Sequence, residues 1–463
     1  MGLYYKTTLA REGRQTRKSL ILILLFLAYL GCGWDNPLFP TVSASIRYPA
    51  GRGDWVTTSP EKEGMDGDAL HYLMQQIQSG DYGPVHDILI VHNGKLVWEK
   101  YFRGHRQSTL HTLQSETKSV TSLLIGIALA QKKISSLDAK LLDLLPRRYQ
   151  KIANLDEQKR SITLEHILSM TAGFDWDESS YPYTDRRNYR NQMRRSRDDI
   201  RFVLDKPMAW EPGTRFAYNS GCSMLLSVIL KEKTGLYADE FARRYLFEPL
   251  RFKNYRWQKN RQGYPDTSGG LYLRPRDIAK LGLLMLHGGE WNGLQIVPAE
   301  WVRQSVQPFR LNAGLRIRYG YQWWLAGPAL QLDACDQGYC MKGYQGQYLL
   351  ILPDKQLVVV SNAWGSNEEQ ERALFMGVLA AVVSPADKTL IVKRQSAKTD
   401  TGAGLFPGQA ASVLGKDIAG LVKSYDPGVE SAAGRLPNLI PDRGKSSLNR
   451  RKVNEKARID APR

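Results

Sequence analysis

Two predicted β-hairpins stand far apart in this chain and bracket a stretch that reads mostly as helix. The first covers 88–91, turns through His92-Asn93-Gly94-Lys95 and returns over 96–102. Asn-Gly supplies the positive φ that a tight type I′ turn needs. The second covers 347–352, turns at Pro353-Asp354-Lys355, returns over 357–361 and leads into an apolar-rich helix over 367–383. Between the hairpins, helices are predicted at 119–130, 164–170, 223–233 (stopped by Gly235), 276–286 and 298–306. Pro falls near their starts and Gly at their stops. Strands from both ends with helices between them imply an α+β fold. One antiparallel sheet is built from both chain ends, with a mainly helical region inserted.

The globular body is read as 53–387, and eleven Trp and 23 Tyr give it a substantial core. The net charge of +18 would suggest a nucleic-acid partner, but its distribution argues otherwise. The first ~52 residues carry about +5 and the last ~78 about +7, so most of the excess lies in the ends. Residues 388–463 are rich in Gly, Ser, Pro, Lys and Arg and read as a disordered basic tail, solvated or lying on an anionic membrane. Residues 1–52 read as an export segment. Lys6, Arg11, Arg14, Arg17 and Lys18 precede an apolar run over 20–30, the order of an export signal. Gly31-Cys32 follows, so lipid attachment at Cys32, an uncleaved signal anchor and a cleaved signal all stay open. The expected location is exported, on the periplasmic or extracellular side and membrane-attached. Cys335 and Cys340 are close enough to bridge a small loop in an oxidising compartment. No metal or cofactor is expected: no Cys/His cluster has zinc spacing, and the seven His are scattered.

Three segments carry chemistry. In Ser115-Glu116-Thr117-Lys118, residues three apart on a helix share a face, which brings the Lys118 amine to the Ser115 hydroxyl. The helix that follows is strongly apolar, so it is buried, and burial lowers a lysine pKa toward that of a general base. Ser59-Pro60-Glu61-Lys62 has the same spacing but lies in a polar lead-in. In Tyr218-Asn219-Ser220, a Tyr on a turn can point its hydroxyl into a cleft and relay a proton. In Gly343-Tyr344-Gln345-Gly346-Gln347, two Gly at a strand permit close approach of a ligand, and Gly343 and Gln347 are candidates to contact it.

Taken in order, Ser115-x-x-Lys118, Tyr218-x-Ser220 and the Gly-rich strand resemble the serine β-lactamase and DD-peptidase superfamily. Within it the chain looks most like the class C β-lactamase-related serine hydrolases of the 6-aminohexanoate-dimer hydrolase branch. Gln114 to Ser122, Ile162 to Gly173, Pro212 to Gly221, Phe247-Glu248-Pro249-Leu250 and Tyr319 to Trp324 carry the likeness, which spans roughly 55–385. The resemblance implies a hydrolase of small amides or esters working through an acyl-enzyme. Ser115 is then the nucleophile, Lys118 its base and Tyr218 a proton relay. The backbone N–H groups of Ser115 and Met341 form the oxyanion hole, Tyr181, Tyr183 and Asp185 face the substrate, and Trp323 and Trp324 wall the cleft. Two departures stand out. Ser220 occupies the position of the family's substrate-contacting Asn, and the Lys-Thr-Gly strand triad is absent, which removes the usual carboxylate anchor. A peptidoglycan-directed D-amino-acid peptidase or weak β-lactamase is the alternative enzyme reading; a non-catalytic binding relative is the alternative of another class.

Overall fold

The computed structural model describes residues 55–332 and 335–382. The apolar run at 20–30, Cys32 and the 388–463 tail lie outside the described residues. In chain order the elements that position the site are α1 (Gly67–Ser79), β1 (Val85–His92), β2 (Lys95–Tyr101), β3 (His111–Thr112), α2 (Glu116–Ala130), α3 (Ser220–Thr234), β4 (Arg256–Trp257), β5 (Leu271–Leu273) and α4 (Pro275–Leu286). Then come β6 (Trp324–Leu325), β7 (Tyr339–Gly343), β8 (Gln347–Leu352), β9 (Leu357–Ala363) and α5 (Glu368–Ala380).

Both hairpins form, and they find each other. The six-stranded sheet has the order β2-β1-β9-β8-β7-β6, antiparallel throughout. β1 pairs with β9 in the register Ile90↔Val359, which joins the two chain ends at the middle of the sheet. Asn93 and Gly94 take φ of 50° and 74° at the first turn, as the Asn-Gly pair requires. Alternate residues serve two cores. Leu89, Val91, Leu349, Val358 and Val360 face α2 and α4, while Ile88, Ile90, Leu350 and Val359 face α1 and α5. With both faces covered, β9 is buried along its whole length, which explains the apolar run from Leu357 to Val360. Among the described residues no helix is long and apolar enough to cross a membrane.

α2 is buried on every side, from Glu116 through Ala128. A helix without a polar face belongs in the centre of a domain. It packs against the sheet and α3, so its N-terminus ends inside the protein. Below that end lie two carboxyls, Asp87 on β1 and Glu116. Asn362 Nδ2 donates to Asp87 Oδ1 at 2.6 Å. Burial pushes the Asp87 carboxyl up to about 8, and burial together with the neighbouring Asp87 pushes Glu116 well above the carboxylate range. A carboxyl raised on folding holds its proton while the unfolded chain gives it up, so stability is lost as pH rises from about 4 toward 8. The slope is about 1.4 kcal/mol per pH unit for one group. Asp87→Asn keeps an oxygen for Asn362 and is expected to remove this loss. Guanidinium unfolding at pH 5 and pH 8 checks it: the wild-type midpoint falls with pH more steeply than the variant's.

One sequence expectation fails here. Cys335 and Cys340 are free thiols, both buried in the core on the α1 and α5 side. Burial pushes Cys335 up to about 12 and Cys340 higher still. Thiols kept from ionising act as small apolar groups and do not supply the thiolate that disulfide formation needs. Cys222 is likewise a buried free thiol, on α3.

Candidate active site

Gln114, just before α2, takes φ of 46°, a left-handed conformation that is sparsely populated for residues other than Gly. Ser115 then opens the helix at φ −66° and ψ −12°, and its side chain makes no capping hydrogen bond. The hydroxyl is therefore available. Lys118 Nζ donates to Ser115 Oγ at 3.1 Å and to the Ser268 carbonyl at 2.6 Å. That carbonyl belongs to a turn held by Asp266, whose Oδ1 accepts from Ser268 N and Ser268 Oγ. Thr117 Oγ1 accepts from Leu271 N at 3.2 Å and pins the first helical turn to β5.

Lys118 is 1% exposed, and that burial decides its chemistry. Desolvation lowers its pKa to about 7; Arg190 adds to the fall, while Glu178 and Asp266 oppose it. A lysine at that value is substantially neutral at physiological pH and can accept a proton. Tyr218 closes the group. Lys118 Nζ lies 5.0 Å from the Tyr218 ring centroid. Burial and the charge of Glu178 raise the phenol above its usual range, with the Ser115 hydroxyl beside it working the other way. The phenol therefore stays protonated and can donate. Tyr218 stacks on Trp324 with centroids 5.7 Å apart and meets Tyr319 edge-on.

Other candidates fall elsewhere. Of the two expected wall residues, Trp323 is fully buried, edge-on to Tyr339, and only its half-buried neighbour Trp324 walls the site. Ser220 is buried, with its N–H and hydroxyl both donating to Glu178, at 2.7 and 2.6 Å. Tyr181 and Asp185 turn toward Arg187, which lies 4.1 Å over the Tyr181 ring and pairs with the carboxylate at 2.7 Å. Arg187 beside Asp185 holds its carboxyl down at about 2. Gln347 is buried beneath its turn, its amide donating to the Ala363 carbonyl. A Cβ on Gly343 would stand 2.5 Å from the Leu113 carbonyl, so this Gly lets β7 pass close to the chain leading into Ser115.

Met341 is fully buried, and its N–H faces inward along the ladder. Ala326 N donates to Gly338 O, and Trp324 pairs with Cys340, so the backbone groups of Gly338 and Cys340 point toward β6. By antiparallel alternation those of Met341 and Gly343 point toward β8. The N–H group of Lys342 faces the side where β6 has ended.

The residues that sequence reasoning missed are Glu178, Arg190 and Ser268. Glu178 accepts four hydrogen bonds, from Trp176 Nε1, Tyr183 Oη, Ser220 N and Ser220 Oγ. It is the one acid of Asp175-Trp176-Asp177-Glu178 that is buried beside the site, and nothing in that run distinguishes it. Tyr183 meets Tyr344 edge-on at 5.0 Å, joining its loop to the β7–β8 turn. Arg190 is half-buried 5.6 Å from the Tyr183 ring, against Gly269, and its guanidinium makes no ion pair among the described residues.

This fold, with a Ser115 hydroxyl beside a buried Lys118 amine at the head of its central helix, defines the class as a hydrolase of the penicillin-recognising fold. The Beta-lactamase family model matches residues 74–381; the chain belongs to that family and is a serine hydrolase. It is 23% identical over 371 residues to the 6-aminohexanoate-dimer hydrolase of Paenarthrobacter ureafaciens, spanning 76% of this chain and 89% of that one. Among solved structures it is similar to EstCE1, a hydrolase with promiscuous acyltransferase activity, at TM-score 0.55 and 15% identity over 68% of this chain and 98% of that one. It is similar also to a penicillin binding protein from Bacillus halodurans, at TM-score 0.52 and 18% identity over 67% and 99%.

Proposed function

We propose that the protein hydrolyses small amides or esters through an acyl-enzyme on Ser115. The observation that carries this reading is the buried Lys118 amine, 3.1 Å from the Ser115 hydroxyl and shifted to about 7. Neutral Lys118 takes the hydroxyl proton as Ser115 Oγ bonds to the carbonyl carbon. The oxygen of the tetrahedral adduct is held by the Ser115 N–H at the α2 terminus and by an edge-facing N–H at the end of β7, past Met341, whose own N–H the register turns toward β8. Lys118 passes that proton to Tyr218 as Tyr218 gives its own to the departing amine or alkoxide and the carbon–heteroatom bond breaks, which leaves Lys118 neutral again. Water then attacks the ester carbonyl and gives a proton to Lys118, which returns it to Ser115 Oγ as the acyl–oxygen bond breaks and the acid leaves.

Arg190, which makes no ion pair among the described residues, stands in for the missing strand lysine as the cation beside the site. It supports substrates whose acyl part ends in a carboxylate. The basic-then-apolar start of the chain supports an exported, membrane-attached enzyme. Ser115→Ala is expected to abolish turnover of p-nitrophenyl esters, with carboxylate-bearing acyl groups preferred by the wild type, while the fold measured by circular dichroism is kept. Retained turnover removes Ser115 from the mechanism.

A further inference from the structure

Three of the seven His, separated by up to 25 residues in sequence, meet on the far side of the strand that leads to Ser115. His86 lies on β1 and His111 on β3, with His105 in the loop between β2 and β3. One ring nitrogen from each lies within 4.8 Å of the others. His111 Nδ1 is 2.9 Å from the Thr112 carbonyl, which can only accept, so Nδ1 carries the proton. The Nε2 of neutral His111 is then a lone pair, and it points at His86 Nδ1, 2.9 Å away. His105 stacks on His86 with centroids 4.0 Å apart, and its buried Nδ1 has no hydrogen-bond partner. An imidazole whose far nitrogen donates to a backbone carbonyl is oriented as metal-ligating imidazoles are.

We propose that His86, His105 and His111 form a binding site for a divalent transition metal of zinc type, which ties the 102–110 loop to β1 and β3. Neutral imidazoles suit such an ion, and three of them leave a fourth position for water. Burial holds all three rings below the usual histidine range, so binding needs no proton to be stripped from an imidazolium. Without an ion, His86 Nδ1–H donates to His111 Nε2. With one, the His86 proton resides on Nε2 and Nδ1 turns its lone pair to the metal. Bond lengths of about 2.0–2.1 Å require the three nitrogens to draw together. His105 supplies the movement by rotating out of its stack, because Arg103 and Gly104 place it on a tight turn at the half-exposed end of the loop.

The test is Zn2+ alone added to the chelator-treated full chain, followed by calorimetry and thermal unfolding. One Zn2+ per chain is expected, with a Kd of about 10 μM or tighter and a midpoint raised by about 3 °C or more at saturation. His105→Gln lies in a loop and is expected to abolish both effects while metal-free ester hydrolysis stays unchanged. His71→Gln, on α1, is expected to leave both in place. Absence of binding below about 100 μM, or full binding by His105→Gln, overturns the proposal. If Zn2+ binding moves with His71→Gln, the ion sits elsewhere and the proposal likewise fails.

Discussion

Lys118→Met is expected to lower kcat/KM for ester substrates by about 10²–10⁴-fold while raising the stability of the fold near neutral pH. Both effects come from one displaced equilibrium. A lysine depressed from 10.5 to about 7 costs the folded state free energy below its unfolded value, because the unfolded chain binds the proton that the folded chain rejects. Wild-type stability from this group therefore rises with pH between about 7 and 10.5. Methionine fills the space without that penalty, but it cannot accept a proton from Ser115. The same shift sets the pH profile. Below about 7 Lys118 is charged and cannot act as base, so wild-type kcat/KM falls about tenfold per pH unit on the acid side and is level above it. Stopped assays from pH 5 to pH 9 with parallel denaturation curves read out both halves. A variant that is inactive and also less stable would show that Lys118 serves the fold instead.

The second large effect concerns Glu178. Glu178→Leu orphans two buried donors that cannot reverse, the Ser220 N–H and the Trp176 indole N–H. Its expected loss is about 2–6 kcal/mol, from about 1–3 kcal/mol for each. Glu178→Gln separates charge from structure. Its oxygen can serve those two donors, and its amide can donate to the Tyr183 and Ser220 hydroxyls, which rotate to accept. The fold is then kept. Glu178 raises the Lys118 pKa, so removing its charge moves the acid limb of the activity profile to lower pH. An unmoved limb in a folded Glu178→Gln variant contradicts this role.

These residues show what a linear reading reaches. The Ser115–Lys118 pair was legible because its partners are one helical turn apart and the apolar run after them announces burial. The two hairpins were legible because Asn93-Gly94 and Pro353-Asp354 mark turns between apolar strands, and their union follows from having one core to share. Contacts set by register or by distant loops were not. Ser268 meets Lys118 from 150 positions away. Trp323 packs into the core while Trp324, the next residue, opens β6 and lines the site, and Met341 is turned from the site by a register that pairs it with Leu349. Neither phase is written in the local sequence. Tyr181 and Asp185 occupy the expected polar loop, yet Arg187 in the same loop satisfies both and leaves Tyr183 to turn inward. His86, His105 and His111 read as scattered because β3, which brings His111 to the end of the β1–β2 hairpin, is placed by tertiary packing.

Covalent labelling tests the central claim most directly. A fluorophosphonate probe is applied to the full chain at pH 6 and pH 8, and the modified peptide is identified by mass spectrometry. The proposed chemistry predicts a single adduct on Ser115, formed several-fold faster at pH 8 and lost in Lys118→Met. An adduct on another serine, or labelling of Ser115 at equal rates in Lys118→Met and the wild type, would contradict it.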